Sequence, residues 1–321
     1  MELSELHSSV DHPTSQGVGF IGLGRMGSRV ARRLCICGIP VVAFNRTPGR
    51  GAEIEHLGGT LVGSPAEVGN ATRLIFTAVT GPVDVREVLL GPLGVRRSEG
   101  KDRIVVDLST IDPTSSLEIA KELRRYGIEM LDAPMSGSVY DAERGTLGFL
   151  VGGQANVLDQ VRPIMEHIGT VYHFGPNGTG CIAKLSLNLL LASMVQSLGE
   201  AFALLGVFGV SRELILSAVA TSGLSSPLFE RVGTRVLAGD FEPRFILRDL
   251  WKDLSLLNRV SEEAGLDLRV ARLLQRIVSG AQPQFLDMDY SALLAAEAER
   301  IRAIGTDARG RHKERDDASI D

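Results

Sequence analysis

Two polar side chains stand at the start of the most apolar helical stretch of the chain, and their spacing suits acid–base chemistry. Lys184 and Asn188 are four residues apart, so on a helix they project from the same face. Their neighbours are mostly Leu, Ile and Ala, so these two side chains must either find partners or form a site. Desolvation lowers the pKa of a lysine from about 10.4 toward the ~7–8 that suits general acid–base catalysis. The alternative is that Lys184 extends from the helix end into solvent.

A glycine-rich turn near the N-terminus has the pattern of a loop that holds a dinucleotide pyrophosphate. It follows the apolar run 18–22 and precedes a helical pattern that continues to about Leu34. In G-x-G-x-x-G the first glycine permits the tight turn, the second lets the backbone approach the pyrophosphate, and the third lets helix and strand pack closely. The helix N-terminus adds free N–H groups and a partial positive charge. The alternative is a turn that needs its glycines for structure alone. The six residues are Gly22, Leu23, Gly24, Arg25, Met26 and Gly27.

The residues that follow the second apolar run indicate which nicotinamide cofactor, NAD or NADP, the fold would bind. A fold that binds NAD usually places Asp or Glu there, to accept a hydrogen bond from the ribose 2′-hydroxyl. Here the run 40–44 is followed by Asn45, Arg46 and Thr47. Arg46 can stack on adenine and pair with a 2′-phosphate, and Thr47 can donate a hydroxyl. These residues favour NADP, and the alternative is a polar turn without a ligand.

A loop in the middle of the chain has groups suited to a small anion. It follows the apolar run 128–132 and reads Asp132-Ala-Pro-Met-Ser136-Gly137-Ser138. The carboxyl ends of parallel strands are where such folds bind ligands, so the loop lies near the expected crevice. Its N–H groups and the Ser136 hydroxyl could form a nest for a carboxylate, although a plain turn would look the same.

Apolar runs of strand length alternate with helical patterns in the first half of the chain. Such alternation indicates βαβ units and a parallel sheet with helices on both faces, so we predict an α/β fold. From Cys181 to about Ile304 nearly everything has a helical pattern. The mixed-charge C-terminus is typical of a solvated, disordered tail. The predicted segments are a flexible leader (1–16), an N-terminal Rossmann dinucleotide-binding domain (17–177), an all-α C-terminal domain (178–305) and the tail (306–321).

Composition and charge exclude several classes of partner. With 34 basic and 39 acidic residues the net charge is −5, and only 5% of residues are aromatic, so no surface for nucleic acid is expected. The charge-free stretch 185–199 is shorter than the ~18–20 residues that span a bilayer, so we predict a buried helix and no membrane partner. Three cysteines without a Cys-x-x-Cys pair predict reduced thiols in a cytoplasmic protein, and the N-terminus does not resemble a signal peptide.

Several motifs stand in a characteristic order along about residues 17–295. They are Gly22-Leu-Gly-x-Met-Gly27, Asn45-Arg-Thr47, Asp132-Ala-Pro-x-Ser-Gly137, Gly145-Thr-Leu147, Gly178-x-Gly180-x-x-x-Lys184-x-x-x-Asn188 and Lys252-Asp-Leu254. The series resembles the β-hydroxyacid dehydrogenase family, which includes 3-hydroxyisobutyrate dehydrogenase, tartronate semialdehyde reductase and the glyoxylate/succinic semialdehyde reductases. The resemblance implies an NADP-dependent oxidoreductase that interconverts a short β-hydroxyacid and its semialdehyde or oxoacid. It also implies a long interdomain helix beginning near Cys181, and a homodimer or tetramer formed through the helical domain.

The resemblance further implies roles for individual residues, with no metal. Lys184 would be the general acid/base at the carbonyl or carbinol oxygen, and Asn188 would orient the substrate. Ser136 and Gly137 would hold the substrate carboxylate. Lys252 would close over substrate and nicotinamide, although by itself such a lysine usually lies on the surface. The expected cofactor contacts are Gly22, Leu23, Gly24, Arg25, Met26, Gly27, Asn45, Arg46, Thr47, Val79, Thr110 (beside the nicotinamide ribose) and Lys252.

Two departures from the usual family pattern concern the substrate, and two other functions stay open. Ser138 stands where glycine is usual, so it would add a side chain that narrows the carboxylate site or offers a hydroxyl. Phe149, next to Gly148, replaces the usual polar or branched residue before Val-Gly-Gly. One alternative function is an imine reductase of similar architecture, which commonly has aspartate or tyrosine at the position of Lys184. The other is a non-catalytic NADP-binding scaffold, which would not need the reactive side chains.

Overall fold

The computed structural model describes residues 17–100, 102–281 and 283–296, which belong to two compact units. The division between the units falls between Lys184 and Leu185, inside a long helix. The predicted leader (1–16) and tail (306–321) lie outside the described residues.

The first unit contains a nine-stranded sheet with helices between the strands. Its strands are β1 (Val18–Ile21), β2 (Val41–Phe44), β3 (Thr60–Leu61), β4 (Leu74–Thr77), β5 (Arg103–Asp107), β6 (Ile128–Asp132), β7 (Met135–Ser136), β8 (Leu147–Gly152) and β9 (Gly169–Gly175). Its helices are α1 (Arg25–Ile36), α2 (Ala52–His56), α3 (Pro65–Ala71), α4 (Pro82–Leu90), α5 (Pro113–Arg124), α6 (Val139–Arg144) and α7 (Ala155–Met165).

The central strands are buried on both faces, which explains why they are continuous apolar runs. Along β4, Leu74 and Phe76 belong to one apolar cluster, whereas Ile75 belongs to another. Because successive side chains of a strand point to opposite faces, the two clusters lie on the two sides of the sheet. The predicted α/β fold with an N-terminal Rossmann domain is confirmed.

The sheet is parallel only in part, which the sequence did not predict. Strands β3-β2-β1-β4-β5-β6 are adjacent in this order and parallel. Strand β8 is antiparallel to β6 and β7, and β9 is parallel to β8. The connection from β7 to β8 holds only the short helix α6, which ends at Gly145 with a left-handed φ of 71°. A parallel neighbour needs a crossover of about a dozen residues or more, so this shorter connection returns the strand in the opposite direction.

Local signals define where several helices of the first unit begin. Ser64 and Asp112 each accept a hydrogen bond from the backbone N–H three residues later. Pro65 and Pro113 follow at the first helical position, where the missing N–H costs nothing. These two starts therefore combine an N-cap with a proline.

The second unit is helical, apart from an isolated bridge between Ile246 and Asp289 in the part that is described. Its elements are α8 (Thr179–Val207), which begins in the first unit, α9 (Arg212–Ala220), α10 (Pro227–Leu237), α11 (Leu247–Glu263), α12 (Arg269–Ser279) and a 3-10 turn (Pro283–Phe285). The all-α character predicted from the helical pattern is confirmed for these residues.

Helix α8 differs from its prediction in length and in burial. It has 29 residues, and an 18-residue window has a mean hydropathy of 1.6, so by length and composition alone it could cross a membrane. The prediction that this stretch is too short for a span is therefore wrong. The predicted burial holds for one face only: Ala192 and Val195 pack in the core, whereas Leu190 and Leu204 are 59% and 62% exposed. Apolar composition alone does not determine which faces of a helix the rest of the chain covers.

A buried carboxylate joins three segments of the second unit. Asp289 is fully buried and accepts hydrogen bonds from Arg235 Nη1 at 3.0 Å and from the backbone N–H groups of Arg244 and Phe245 at 3.1 and 3.2 Å. It also accepts from the N–H and hydroxyl of Ser291 at 3.1 and 2.7 Å. Ionised groups are rarely buried without such partners, so Asp289 is a structural centre of this unit.

Candidate active site

The three glycines of the first turn each fit the role that a dinucleotide cradle requires. Gly22 has a φ of 99°, and an added Cβ would collide with the carbonyl oxygen of Ala78. A Cβ on Gly27 would collide with the carbonyl oxygen of Gly22, so helix α1 packs directly on the turn. Around Gly24, by contrast, no described atom lies within 4 Å of an added Cβ. The turn therefore leaves open space where a pyrophosphate must approach.

The start of helix α1 offers donors to that open space. Gly24 is its N-cap, and among the described residues no side chain caps the helix. Arg25 is exposed and Met26 is half-buried, whereas the side chain of Leu23 is in the core. The uncapped N–H groups and the helix dipole suit an anion, so the residues present fit a dinucleotide phosphate.

Asn45 connects the glycine turn to the loop after β2. Its Oδ1 accepts the N–H of Leu23 at 2.8 Å, and its Nδ2 donates to the carbonyl oxygen of Thr47 at 2.9 Å. Both side-chain ends are thus engaged with backbone, which holds the loop next to the cradle. The predicted cofactor residues after β1 and β2 are adjacent in the structure, because these two strands are neighbours.

Arg46 has a carboxylate partner that the sequence analysis missed. Its side chain is 84% exposed, and Nη1 lies 3.1 Å from Asp84 Oδ1. Asp84 belongs to the first turn of α4, 38 residues further along the chain. No acidic residue directly follows β2 in the sequence, but the fold places the carboxylate of Asp84 beside Arg46.

Val79 and Thr110 follow neighbouring strands at the same edge of the sheet as the glycine turn. Ile21 at the end of β1 is in register with Thr77 of β4, and Thr77 with Asp107 of β5. Both predicted residues are half-buried, and the N–H of Val79 donates to Ser109 Oγ at 3.0 Å. The structure therefore places these two predicted cofactor contacts at the carboxyl ends of adjacent strands.

Behind this edge lies a buried acid that sequence reasoning did not select. Asp107 Oδ1 accepts the Thr77 hydroxyl at 2.7 Å and the Ser109 N–H at 3.2 Å, whereas Oδ2 has no hydrogen-bond partner among the described residues. Burial raises the pKa of Asp107 from its ordinary 3.8 to about 6, and the hydrogen bonds from Ser109 and Thr77 oppose that rise.

This raised pKa leads to a testable dependence of stability on pH. Since the folded-state pKa lies above the unfolded value, the stabilising contribution of Asp107 is complete below pH 3.8 and is lost as pH rises through about 6. At ~1.4 kcal/mol per pKa unit the loss is roughly 3 kcal/mol. About one pKa unit of this loss, or ~1.4 kcal/mol, falls above pH 5, so between pH 5 and pH 8 Asp107→Asn, which cannot ionise, should gain about that much unfolding free energy relative to wild type. Urea unfolding at both pH values measures this, with the exposed Asp159→Asn as control. Equal pH dependence in wild type and Asp107→Asn would contradict it.

The loop that carries Ser136 forms a short strand pair. Ser136 in β7 is in register with Gly148 of β8, and Gly137 is exposed with a φ of 132°. The hydroxyl and N–H of Ser138 both donate to Asp141 Oδ2 at 2.7 Å, which forms a capping box at the start of α6. This capping box gives Ser138 a structural role, because its hydroxyl is already engaged.

The second unit joins two predicted site residues through a third. Asn188 is buried and its Nδ2 donates to Asp253 Oδ2 at 2.6 Å, while Lys252 Nζ lies 3.0 Å from Asp253 Oδ1. Asp253 is itself buried, and its carboxylate holds the Asn188 amide by a hydrogen bond and forms an ion pair with Lys252. Sequence reasoning noted it in the Lys252-Asp-Leu254 motif but gave it no role. Lys184, one helical turn before Asn188, is half-buried and is the last residue of the first unit.

No group of three or more His, Cys, Asp or Glu residues suited to a metal ion occurs in the described part of the chain. Cys35, Cys37 and Cys181 are free thiols, of which Cys181 is buried.

Comparison with known proteins agrees with this geometry. Residues 17–181 match the family described as the NAD binding domain of 6-phosphogluconate dehydrogenase, and residues 178–296 match the NAD-binding domain of NADP-dependent 3-hydroxyisobutyrate dehydrogenase. The fold and cradle thus define an NAD(P)-dependent oxidoreductase. The chain belongs to the β-hydroxyacid dehydrogenase family, which confirms the resemblance seen in its motifs.

Individual relatives cover most of the chain. 2-(Hydroxymethyl)glutarate dehydrogenase of Eubacterium barkeri is 32% identical, over 86% of this chain and 93% of its own. The structure of Mycobacterium tuberculosis 3-hydroxyisobutyrate dehydrogenase with L-serine is 25% identical with a TM-score of 0.80, covering 87% of this chain and 97% of that one. An imine reductase from Myxococcus stipitatus shares the fold alone, at 19% identity and a TM-score of 0.60, covering 88% of this chain and 99% of that one.

Proposed function

We propose that this chain is an NADP-dependent oxidoreductase that transfers a hydride between the nicotinamide and a short β-hydroxyacid or its semialdehyde. The observation that carries the proposal is the pair of polar residues on α8: Lys184, and Asn188 one turn later with its amide held by Asp253 at 2.6 Å. An amide fixed by a buried carboxylate is suited to orienting a substrate. Lysine at position 184 favours this reaction over imine reduction.

The residues divide the work of such a reaction between them. When bound, the cofactor supplies or accepts the hydride. Lys184 gives a proton to the carbonyl oxygen during reduction and takes it back during oxidation. Asn188 orients the same oxygen, while Ser136 and the N–H of Gly137 hold the carboxylate. A substrate fixed at both ends presents its carbon to the cofactor in one orientation.

A turnover screen tests the proposal. Oxidation of NADPH is followed with glyoxylate, succinic semialdehyde, tartronate semialdehyde, methylmalonate semialdehyde and a cyclic imine. We expect the aldehyde group of at least one of the four acids to be reduced and the cyclic imine to be left unchanged. Reduction of the imine alone would support the imine reductase alternative. NADPH binding without turnover of any compound would support a scaffold.

Arg46→Ala tests the preference for NADP. A charge-assisted contact to phosphate contributes on the order of 1.5–3 kcal/mol, so its loss should weaken NADPH binding roughly 10–100-fold. NADH has no 2′-phosphate, so its affinity should change much less. Fluorescence titration with both cofactors measures this, and Arg32→Ala on α1, a surface arginine paired with Glu53, is the matched control. Equal losses for both cofactors would mean that Arg46 only stacks on adenine. A wild type that prefers NADH would contradict the assignment of NADP.

We also propose that the chain forms a homo-oligomer through its helical unit. The exposed apolar side chains of α8 support this, among them Leu190, Leu204 and Val207 at 59%, 62% and 67% exposure. Apolar surface of this kind is stabilised when a partner covers it. Light scattering of the purified protein gives its mass in solution, and a monomer would contradict the proposal.

A further inference from the structure

The first residue of the Asp132-Ala-Pro-Met-Ser136-Gly137 motif points away from open solvent and toward helix α8. Asp132 is 1% exposed. Its Oδ1 accepts the N–H of Gly178 at 2.7 Å and the hydroxyl of Ser116 at 3.2 Å, and its Oδ2 accepts the N–H of Cys181 at 3.1 Å. A helix begins with N–H groups that have no partner within the helix, and a carboxylate is favoured at this end. Asp132 therefore caps α8 from a strand that lies 46 residues earlier.

Gly152 and Gly180 have no side chains, so the backbone at the start of α8 packs directly against the backbone of the sheet. A Cβ on Gly180 would collide with the carbonyl oxygen of Leu150 and lie 2.8 Å from that of Asp132. A Cβ on Gly152 would lie 2.6 Å from Asp132 Oδ2 and 2.8 Å from the N of Gly180. The Asn177 amide adds a hydrogen bond of 2.7 Å to a carbonyl oxygen of β6. The first turn of α8 is therefore fixed by the hydrogen bonds to the Asp132 carboxylate, by the Asn177 hydrogen bond and by the close packing at the two glycines.

We propose that Asp132 is a positioning residue for Lys184. Cys181, whose N–H it binds, precedes Lys184 by three residues, which is less than one helical turn. A helix fixed at its first turn places the side chains of the next turn, because its backbone is rigid over that length. Burial raises the pKa of Asp132, and the N–H groups of Gly178 and Cys181 oppose that rise, so the capping bonds favour the charged form. The role rests on the proposed function, in which Lys184 exchanges the proton.

Asp132→Asn tests this role with the smallest change of shape. One carboxylate oxygen becomes an NH2 group, which cannot accept the N–H of Gly178 or Cys181 and faces it as a second donor. A displacement of about 1 Å at a reacting group can cost on the order of 10²-fold in rate. We expect kcat to fall roughly 10–100-fold, with KM for the aldehyde and Kd for NADPH within about twofold of wild type.

Two other variants separate positioning from stability. Ser64→Ala removes the N-cap of α3, a helix that packs on β1 and β2, so it should lower Tm and leave kcat unchanged. Ser116→Ala removes the hydroxyl that donates to Asp132 and also interacts with the Cys181 thiol, and leaves the backbone bonds from Gly178 and Cys181 to Asp132, so it should stay folded and lower kcat by a few-fold. Unchanged kcat in folded Asp132→Asn and in Ser116→Ala would overturn the proposal. So would a rise in the Kd for NADPH that matches the loss of kcat.

Amide hydrogen exchange tests the same contact without turnover. In wild-type protein the N–H groups of Gly178 and Cys181 should be protected, and in Asp132→Asn the segment 178–184 should exchange about tenfold faster. Ser116→Ala should show a smaller change in the same segment. If wild type reduces none of the aldehydes, the proposed function fails while the exchange data still report on the cap. Unchanged exchange of this segment in both variants would refute the positioning role, whatever the activity.

Discussion

Lys184→Ala should lower turnover at least ~10²-fold and still bind NADPH with the affinity of wild type. Loss of a positioned general acid–base group costs typically 10²–10⁴-fold. In the proposed function Lys184 exchanges a proton with the substrate oxygen, whereas the glycine turn at Gly22 offers donors to the pyrophosphate, so cofactor affinity should persist. Steady-state kinetics with saturating NADPH measures the first effect, and fluorescence titration measures the second.

Two further variants identify what Lys184 supplies. Lys184→Arg keeps a positive charge, but the guanidinium does not release its proton at ordinary pH, so turnover should stay low. Lys121→Ala, an exposed lysine of α5, should have wild-type turnover. Activity of Lys184→Ala within a few-fold of wild type would mean that Lys184 merely extends into solvent, and the proton transfer would have to be assigned to another group.

Asp289→Ala should lower the free energy of unfolding by about 3–5 kcal/mol, the usual cost of removing one partner of a buried ion pair. The change removes the acceptor of Arg235 Nη1 at 3.0 Å and of backbone N–H groups in two segments. Arg235 is only 13% exposed, so its charge would lose a partner within the protein. Urea unfolding followed by circular dichroism measures the loss.

Asp287→Ala is the matched control for this variant. Asp287 lies two residues earlier, its side chain is 74% exposed, and it pairs with Arg248. An exposed ion pair contributes about 0–1 kcal/mol, so this variant should unfold almost as wild type does. Similar, small losses for both variants would show that the buried network around Asp289 is not a structural centre.

The sequence predicted most reliably the features that depend on neighbours in the chain. The glycine turn and the strand before it were recognisable because G-x-G-x-x-G stood between an apolar run and a helical pattern. Short elements such as β3, β7 and α6 were missed, since two to six residues show little periodicity. The antiparallel direction of β8 was missed for another reason: its apolar pattern would be the same in either direction.

Contacts between distant residues account for what the sequence could not predict of the site. Asn188 and Asp253 are 65 residues apart, and Arg46 and Asp84 are 38 apart. The first pair depends on how two helices pack and the second on how a loop packs against a helix, and spacing along one element does not report either. The prediction that α8 is buried failed on one face for a similar reason, because the apolar character of a residue such as Leu190 does not determine whether another part of the chain covers it. Asp132 was recognised as part of a motif, but only the fold shows that it caps α8.

The ion pair between Arg46 and Asp84 matters to anyone who wishes to engineer the cofactor preference of this enzyme. Replacing Arg46 alone removes a cation and at the same time leaves a carboxylate near the end of β2, where proteins that choose NAD keep theirs. Replacing Asp84 alone would instead release the guanidinium for a phosphate. Positions 46 and 84 should therefore be varied together, because a library that varies only the loop after β2 would leave Asp84 unchanged.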